Sequence, residues 1–166
     1  MAEKNIYFLG RGLNTGAGIT TDMLFKIAET MKLTHGLSAI IVDYLQLLAD
    51  GGKSPYERIS IISTRVKQLL EALEIPGLIL SQLSRSVEDQ HNKSRRPTLT
   101  SLRESGKQEE DADVVLLMFR PDKYPELLME NPELRGTAEL ILAKNRQGDS
   151  DISIPLAWDN DRRIYA

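Results

Sequence analysis

One stretch constrains the fold of this chain more than any other. It is Leu37 to Leu48, LSAIIVDYLQLL, where β-branched Ile40, Ile41 and Val42 run together and a single acid, Asp43, follows them. An apolar run without alternation suits a strand covered on both faces, the habit of parallel sheets in α/β proteins. The segments around it fit that class. Ile6 to Leu9 reads as a short strand leading into a Gly-rich loop that reaches Gly18. Thr20, Thr21 and Asp22 offer an N-cap for a helix whose apolar face is Leu24, Ile27, Ala28 and Met31, and Gly36 stops it. From Glu57 to Glu74 the residues Ile59, Ile62, Val66, Leu69, Leu70 and Leu73 keep a helical period, and Pro76-Gly77 terminates it. Leu78-Ile79-Leu80 reads as a further buried strand, and Val114 to Phe119 as another strand after the acidic turn Glu109 to Asp113. The last third is strand-like at Thr137 to Lys144, Ile152 to Trp158 and Arg163 to Tyr165, joined by turns. Strand and helix alternate first and antiparallel hairpins come last, so the expected fold is α/β: a mostly parallel sheet with helices on both faces and a C-terminal antiparallel extension.

Composition narrows the chemistry. A chain of 166 residues is the size of one domain. It has no cysteine, which removes disulfide scaffolds, thiol nucleophiles and zinc ribbons, and His35 and His91 are too few for a histidine-built metal site. No apolar run approaches the ~20 residues that span a bilayer, so no membrane association is expected and the chain reads as cytoplasmic. The net charge of −3 argues against nucleic-acid binding over the whole surface. Any such activity must reside in the segment Arg85 to Lys107, where six Lys or Arg face three acids.

Several residues then stand out. Asp43, at the C-terminal end of an apolar strand, lies where open α/β sheets place their ligand crevice. An aspartate there either holds Mg²⁺ on a nucleotide or caps a neighbouring loop. Gln82 occupies the equivalent position on the next strand, where a polar strand end is the simpler interpretation. Gly52-Lys53-Ser54 invites a phosphate-loop reading, but the glycine that motif requires upstream is replaced by Leu47. Lys144 and Arg146 sit at a strand end entering a turn, as solvated charges or as cations that reach a phosphate. Arg103 and Gly106, in LRESG, suit contacts to the backbone of a nucleic-acid strand. No aromatic residue between Arg85 and Lys107 supplies base stacking.

Taken in order, IIVDYLQLL (Ile40 to Leu48), ILSQLSR (Ile79 to Arg85), LRESG with the acidic DAD (Asp111 to Asp113), and KNRQG (Lys144 to Gly148) resemble the C-terminal ATPase domain of DnaB-type replicative helicases, and the join Glu74 to Gln82 resembles it too. The resemblance covers nearly the whole chain from Ile6. It implies a RecA-like core of a hexameric ring that hydrolyses ATP with Mg²⁺ and unwinds duplex DNA 5′ to 3′ during replication. By the same resemblance, Asp43 is the metal-holding Walker B aspartate and Gln82 couples nucleotide state to the DNA-binding loops. Arg103, Glu104 and Gly106 belong to the loop that holds single-stranded DNA, Arg146 is the arginine finger, and Lys144 is its neighbouring γ-phosphate contact.

The family's Walker A loop and catalytic glutamate lie upstream of where this chain begins. Residues 1–166 are therefore expected to be one partial domain, its distal part, that binds no nucleotide tightly alone. Partners implied are single-stranded DNA, further copies of the chain, and primase or a helicase loader through regions not all present, in the bacterial nucleoid or a phage-infected cell. The alternative is a catalytically inactive RecA-like module that binds single-stranded DNA or a ring helicase. A recombinase or clock-protein relative fits less well, because LRESG favours a helicase.

Overall fold

The structure is a computed structural model. It describes residues 5–10, 18–83, 95–159 and 161–165, and of 103–105 the backbone only. The chain divides into two compact units, Met1–Gln82 and Leu83–Ala166.

The first unit is α/β. Helix α1 (Thr21–His35) starts at Thr20, whose hydroxyl accepts the Met23 N–H at 3.3 Å. The Asp50 carboxylate reinforces that start. It is buried and accepts the Thr21 N–H at 2.9 Å and the Thr21 hydroxyl at 2.5 Å, while Arg65 donates to it at 3.2 Å. Helix α2 (Pro55–Leu73) carries the period read from the sequence and buries Ile59, Ile62, Val66, Leu69 and Leu73. Ser54 is its N-cap and Pro55 fills the first position, where the missing N–H costs nothing. Lys53 N–H donates to Glu57 at 2.7 Å, so Gly52-Lys53-Ser54 is a helix start. Gly52 is required there, because a Cβ would lie 2.6 Å from the Arg58 backbone nitrogen.

Strands β1 (Ile40–Val42) and β2 (Gly77–Ile79) pair in parallel, with Ile40 opposite Gly77 and Val42 opposite Ile79. Gly77 lets α2 approach, since a Cβ would meet Leu70 Cδ1 at 2.4 Å. Ile40, Val42 and Ile79 pack against the helices. Ile41 and Leu78 on the opposite face are 69% and 58% exposed, so the cover on both faces predicted for this run is present on one. The described residues of this unit provide helices for one side only. Ile6 to Leu9 forms no strand, because the described residues offer it no ladder partner.

The second unit is an antiparallel sheet in the order β3 (Val114–Phe119), β4 (Thr137–Asn145), β5 (Ile152–Asp159), β6 (Ile164–Tyr165). One face buries Val115, Leu117, Ile141 and Ala143 against Leu99, Leu102 and Ala112. The last three come from a 3-10 helix (Leu99–Ser105) and the residue that follows helix α3 (Gly106–Asp111), where the sequence predicts loop and acidic turn. Helix α4 (Pro125–Glu130) buries Leu127 inside the Pro-rich insertion. Among the described residues no helix is long and apolar enough to cross a membrane.

Candidate nucleotide and strand-binding sites

The parallel register places the C-terminal ends of β1 and β2 side by side, and each end carries one of the polar residues singled out in the sequence. Asp43 follows Val42 directly and is exposed. Gln82 lies three residues beyond Ile79 and is also exposed. The ladder extends past the strands: Leu80 N–H donates to Val42 O at 2.9 Å, and Leu45 N–H to Leu80 O at 2.9 Å. A 3-10 turn, Leu45–Leu47, then leads away from Asp43. Within it the Gln46 carboxamide reaches across to the other strand end. Its Nε2 donates to Ser81 Oγ at 3.0 Å and to Gln82 O at 3.4 Å, and its Oε1 accepts the Gln82 N–H at 3.4 Å. Arg58 of α2 holds the same turn by donating to Leu48 O at 3.0 Å and Gln46 O at 3.4 Å.

Asp43 offers a single carboxylate. Among the described residues no group of three His, Cys, Asp or Glu could enclose an ion. That donor set fits Mg²⁺ of the kind that takes one carboxylate from protein and completes its shell with phosphate oxygens and water.

In the second unit, Lys144 and Arg146 converge on one short helix. Lys144 Nζ donates to the Glu109 carbonyl and Arg146 Nη2 to the Glu110 carbonyl, both in the last turn of α3. Arg146 Nη1 also donates to Asp113 Oδ1 at 2.9 Å, and its backbone N–H to Asp113 O at 2.9 Å. Terminal carbonyls of a helix lack intrahelical partners and carry partial negative charge, so two cations satisfy them well. Gly106 opens that helix. Arg103 and Glu104 belong by backbone to the preceding 3-10 helix, and their side chains lie outside the described residues, as do Arg85 and Lys93 of the basic segment. Lys107 pairs with Glu110 at 2.9 Å and Asp111 at 3.6 Å, and the Glu110 hydrogen bond holds its ammonium above the usual lysine range.

Two features escaped the motif reading. One is Gln46, invisible because nothing local marks a polar residue in a 3-10 turn as a cross-strand contact. The other is a cavity of about 220 Å³ in the second unit, lined by Leu83, Phe119, Arg120, Tyr124 and Tyr165 among others. Phe119 and Tyr124 stack with centroids 6.2 Å apart, and Trp158 and Tyr165 lie 4.7 Å apart. The Arg120 guanidinium sits 4.2 Å from the centre of the Trp158 ring. Its Nε is a buried donor without a hydrogen-bond partner among the described residues. The available signal was a cluster of aromatic residues and cations in the last third, drawn from a strand end, a turn and the C-terminal hairpin, which no single period connects.

On the covered face of the same sheet, Arg96 pairs bidentately with Glu139 at 2.7 and 2.8 Å. The Arg96 hydrogen bond, helped by the Ser153 hydroxyl, holds the Glu139 carboxyl below its ordinary value.

Comparison with known proteins adds a consistent set of relatives. The family model described as DnaB-like helicase C terminal domain matches residues 11–165. Replicative DNA helicase DnaB of Geobacillus stearothermophilus is 42% identical over 121 residues, 71% of this chain and 25% of that protein. Replicative DNA helicase DnaC of Bacillus subtilis (strain 168) is 37% identical over 151 residues, 89% of this chain and 32% of that protein. Among solved structures, an ATPase domain superposes with a TM-score of 0.75 at 34% identity, over 90% of this chain and 51% of that one. A DnaB-like replicative helicase studied for its interactions with primase gives 0.73 at 34% identity, over 87% and 34%. The chain spans a quarter to a third of the length of these curated relatives.

Proposed function

The chain belongs to the DnaB-like helicase C-terminal domain family, with the RecA-like α/β fold of its structural neighbours, and from that premise we propose that it supplies part of the nucleotide site and the strand-gripping segment of a replicative DNA helicase, as the distal part of one RecA-like domain. The observation that carries this reading is the adjacency of Asp43 and Gln82 at the ends of paired parallel strands. A carboxylate and a carboxamide at neighbouring strand ends can meet the two sides of one nucleotide's phosphate end. Asp43 would hold Mg²⁺, which supplies charge neutralisation on the β- and γ-phosphates of ATP. Gln82, whose backbone is bonded and whose side chain is exposed, would contact the terminal phosphate and pass its presence to the chain that follows.

Lys144 and Arg146 would serve the nucleotide of an adjacent copy in a ring. A guanidinium fork suits a transferring phosphoryl group, and to reach one Arg146 exchanges Asp113 and the Glu110 carbonyl for phosphate oxygens. The cavity beside Arg120 and Tyr165 has aromatic and cationic walls that would suit the base of the same class of ligand. Gly106 and the backbone-defined segment before it, with Arg103 and Glu104, would follow the phosphates of single-stranded DNA. Self-association into a ring, and meetings with primase or a loader through other parts of a longer protein, complete the proposal, which places the chain in the cell interior where DNA is replicated.

The test is to graft this chain in place of the matched residues of the Bacillus subtilis relative and measure ATP hydrolysis and duplex unwinding. The unsubstituted graft should do both. Asp43→Ala should reduce hydrolysis by at least about a hundredfold, since transition-state charge stabilisation at such sites is worth several kcal/mol. Undiminished hydrolysis by the Asp43→Ala graft would remove the reading.

A further inference from the structure

We propose that Gln46 is a positioning residue that locks the backbone of Gln82 to the Asp43 turn, so that what happens at Asp43 is transmitted to Gln82. The inference rests on the coupling role proposed above for Gln82. The geometry that supports it is the way the β1–β2 ladder ends. Its last backbone rungs are Leu80 N–H to Val42 O and Leu45 N–H to Leu80 O. Beyond them the chain after Asp43 turns away into the 3-10 turn, and no backbone of β1 remains to pair with Gln82. The Gln46 carboxamide takes that place: it offers one acceptor to the Gln82 N–H and one donor to the Gln82 carbonyl, the two bonds that two successive peptide groups of a neighbouring strand would otherwise supply. The Gln82 N–H can only donate and its carbonyl only accept, so this pair fixes which way round the amide sits, and the second Nε2 hydrogen goes to Ser81 Oγ. A flipped amide would set oxygen against the Gln82 carbonyl and nitrogen against its N–H.

Two features make this a positioning device. Both contacts to residue 82 use backbone atoms, so they fix where Gln82 is without occupying its side chain. Gln46 is itself held from behind, because Arg58 donates to the carbonyls of Gln46 and Leu48 and the flanking Leu45 and Leu48 are buried in the α2 core. Only Tyr44 and Leu45 separate Asp43 from Gln46, in a turn braced at both ends. A displacement of Asp43 is therefore carried to Gln82 instead of being absorbed by slack.

The variants are Gln46→Ala, which removes the rung, and Gln46→Glu, which keeps shape and acceptor but removes both donors. In the graft described above, each should lower the ratio of DNA-stimulated to unstimulated ATP hydrolysis by about tenfold, the scale of one or two lost hydrogen bonds. In the 166-residue chain itself, the Gln82 amide should exchange its hydrogen faster in Gln46→Ala, with the melting temperature within a few degrees of the parent. A merely structural Gln46 would lower stability and leave that ratio alone. Gln82→Ala separates the two levels. If Gln82→Ala loses the stimulation and both Gln46 variants keep it, this inference falls and the function stands. If Gln82→Ala also keeps it, the coupling role of Gln82 falls and the inference with it.

Discussion

The polar residues at the ends of β1 and β2 and the cations at the end of β4 are held in opposite ways. Asp43 and Gln82 have exposed side chains on a fixed backbone, the latter bonded through its main chain by Gln46. Lys144 and Arg146 have their charged heads engaged, on the last carbonyls of α3 and on Asp113. In the function proposed above, the first pair meets its ligand without giving up a partner, so its quality depends on the scaffold beneath. In the same proposal the second must give up existing partners before it meets one, so its quality depends on how strong those partners are. The difference predicts where substitutions will hurt and by how much.

The largest effect should come from the scaffold of the first pair. Ile62 is fully buried and packs with Leu45 and Leu48 of the turn that carries Gln46. Ile62→Ala should cost about 2–5 kcal/mol, read by urea denaturation with a probe in the first unit, because the cavity left in α2's core cannot close around a turn braced by Arg58. A cost below about 1 kcal/mol would mean the turn is held by its hydrogen bonds and not by this packing.

A smaller change should follow from loosening the second pair. The Arg146–Asp113 contact is close to half exposed on both sides, the class of ion pair worth about 0.2–1 kcal/mol. Asp113→Asn keeps the shape and removes the charge that Arg146 must leave. In the graft it should raise ATP turnover by up to about fivefold, the kinetic equivalent of that energy. A fall in turnover would reverse the contrast: Asp113 would then be aligning Arg146 for its task.

These two regions also mark how far the amino-acid sequence could be read. Helix α2 was legible because Ile59 to Leu73 repeat at the helical period, and β3 because Val114 to Phe119 is apolar throughout. Asp43 and Gln82 were legible as strand ends for the same local reason. What resisted reading depends on contacts distant in sequence. Ile6 to Leu9 has the composition of a strand, yet strands exist only in ladders and the described residues give it none. Helix α3 shows no apolar period. Its end is satisfied by Lys144 and Arg146, far along the chain, so Glu109 to Asp113 read as an acidic turn. Gln46 and the Arg120 cavity were hidden likewise, since a carboxamide's partner and a cavity's walls are set by the fold and carry no local signature.

The smallest expected effect sharpens the comparison within one sheet. Two ion pairs meet at β4: Arg146–Asp113 at its open end, and Arg96–Glu139 on its covered face, bidentate at 2.7 and 2.8 Å and supported by Ser153. In the second pair the Glu139 carboxyl is shifted downward from 4.5, first because of the Arg96 hydrogen bond. A carboxyl depressed in the folded state contributes stability that is fully present above its unfolded value and lost as pH falls through the folded one. The second unit should therefore lose a little stability as pH falls below about 4.5, and Glu139→Gln should flatten that part of the profile while costing under about 1 kcal/mol at neutral pH, because Arg96 is partly exposed and screened. An acid limb left unflattened by Glu139→Gln would show that the bidentate geometry and the neighbouring hydroxyl add nothing to the second unit's stability.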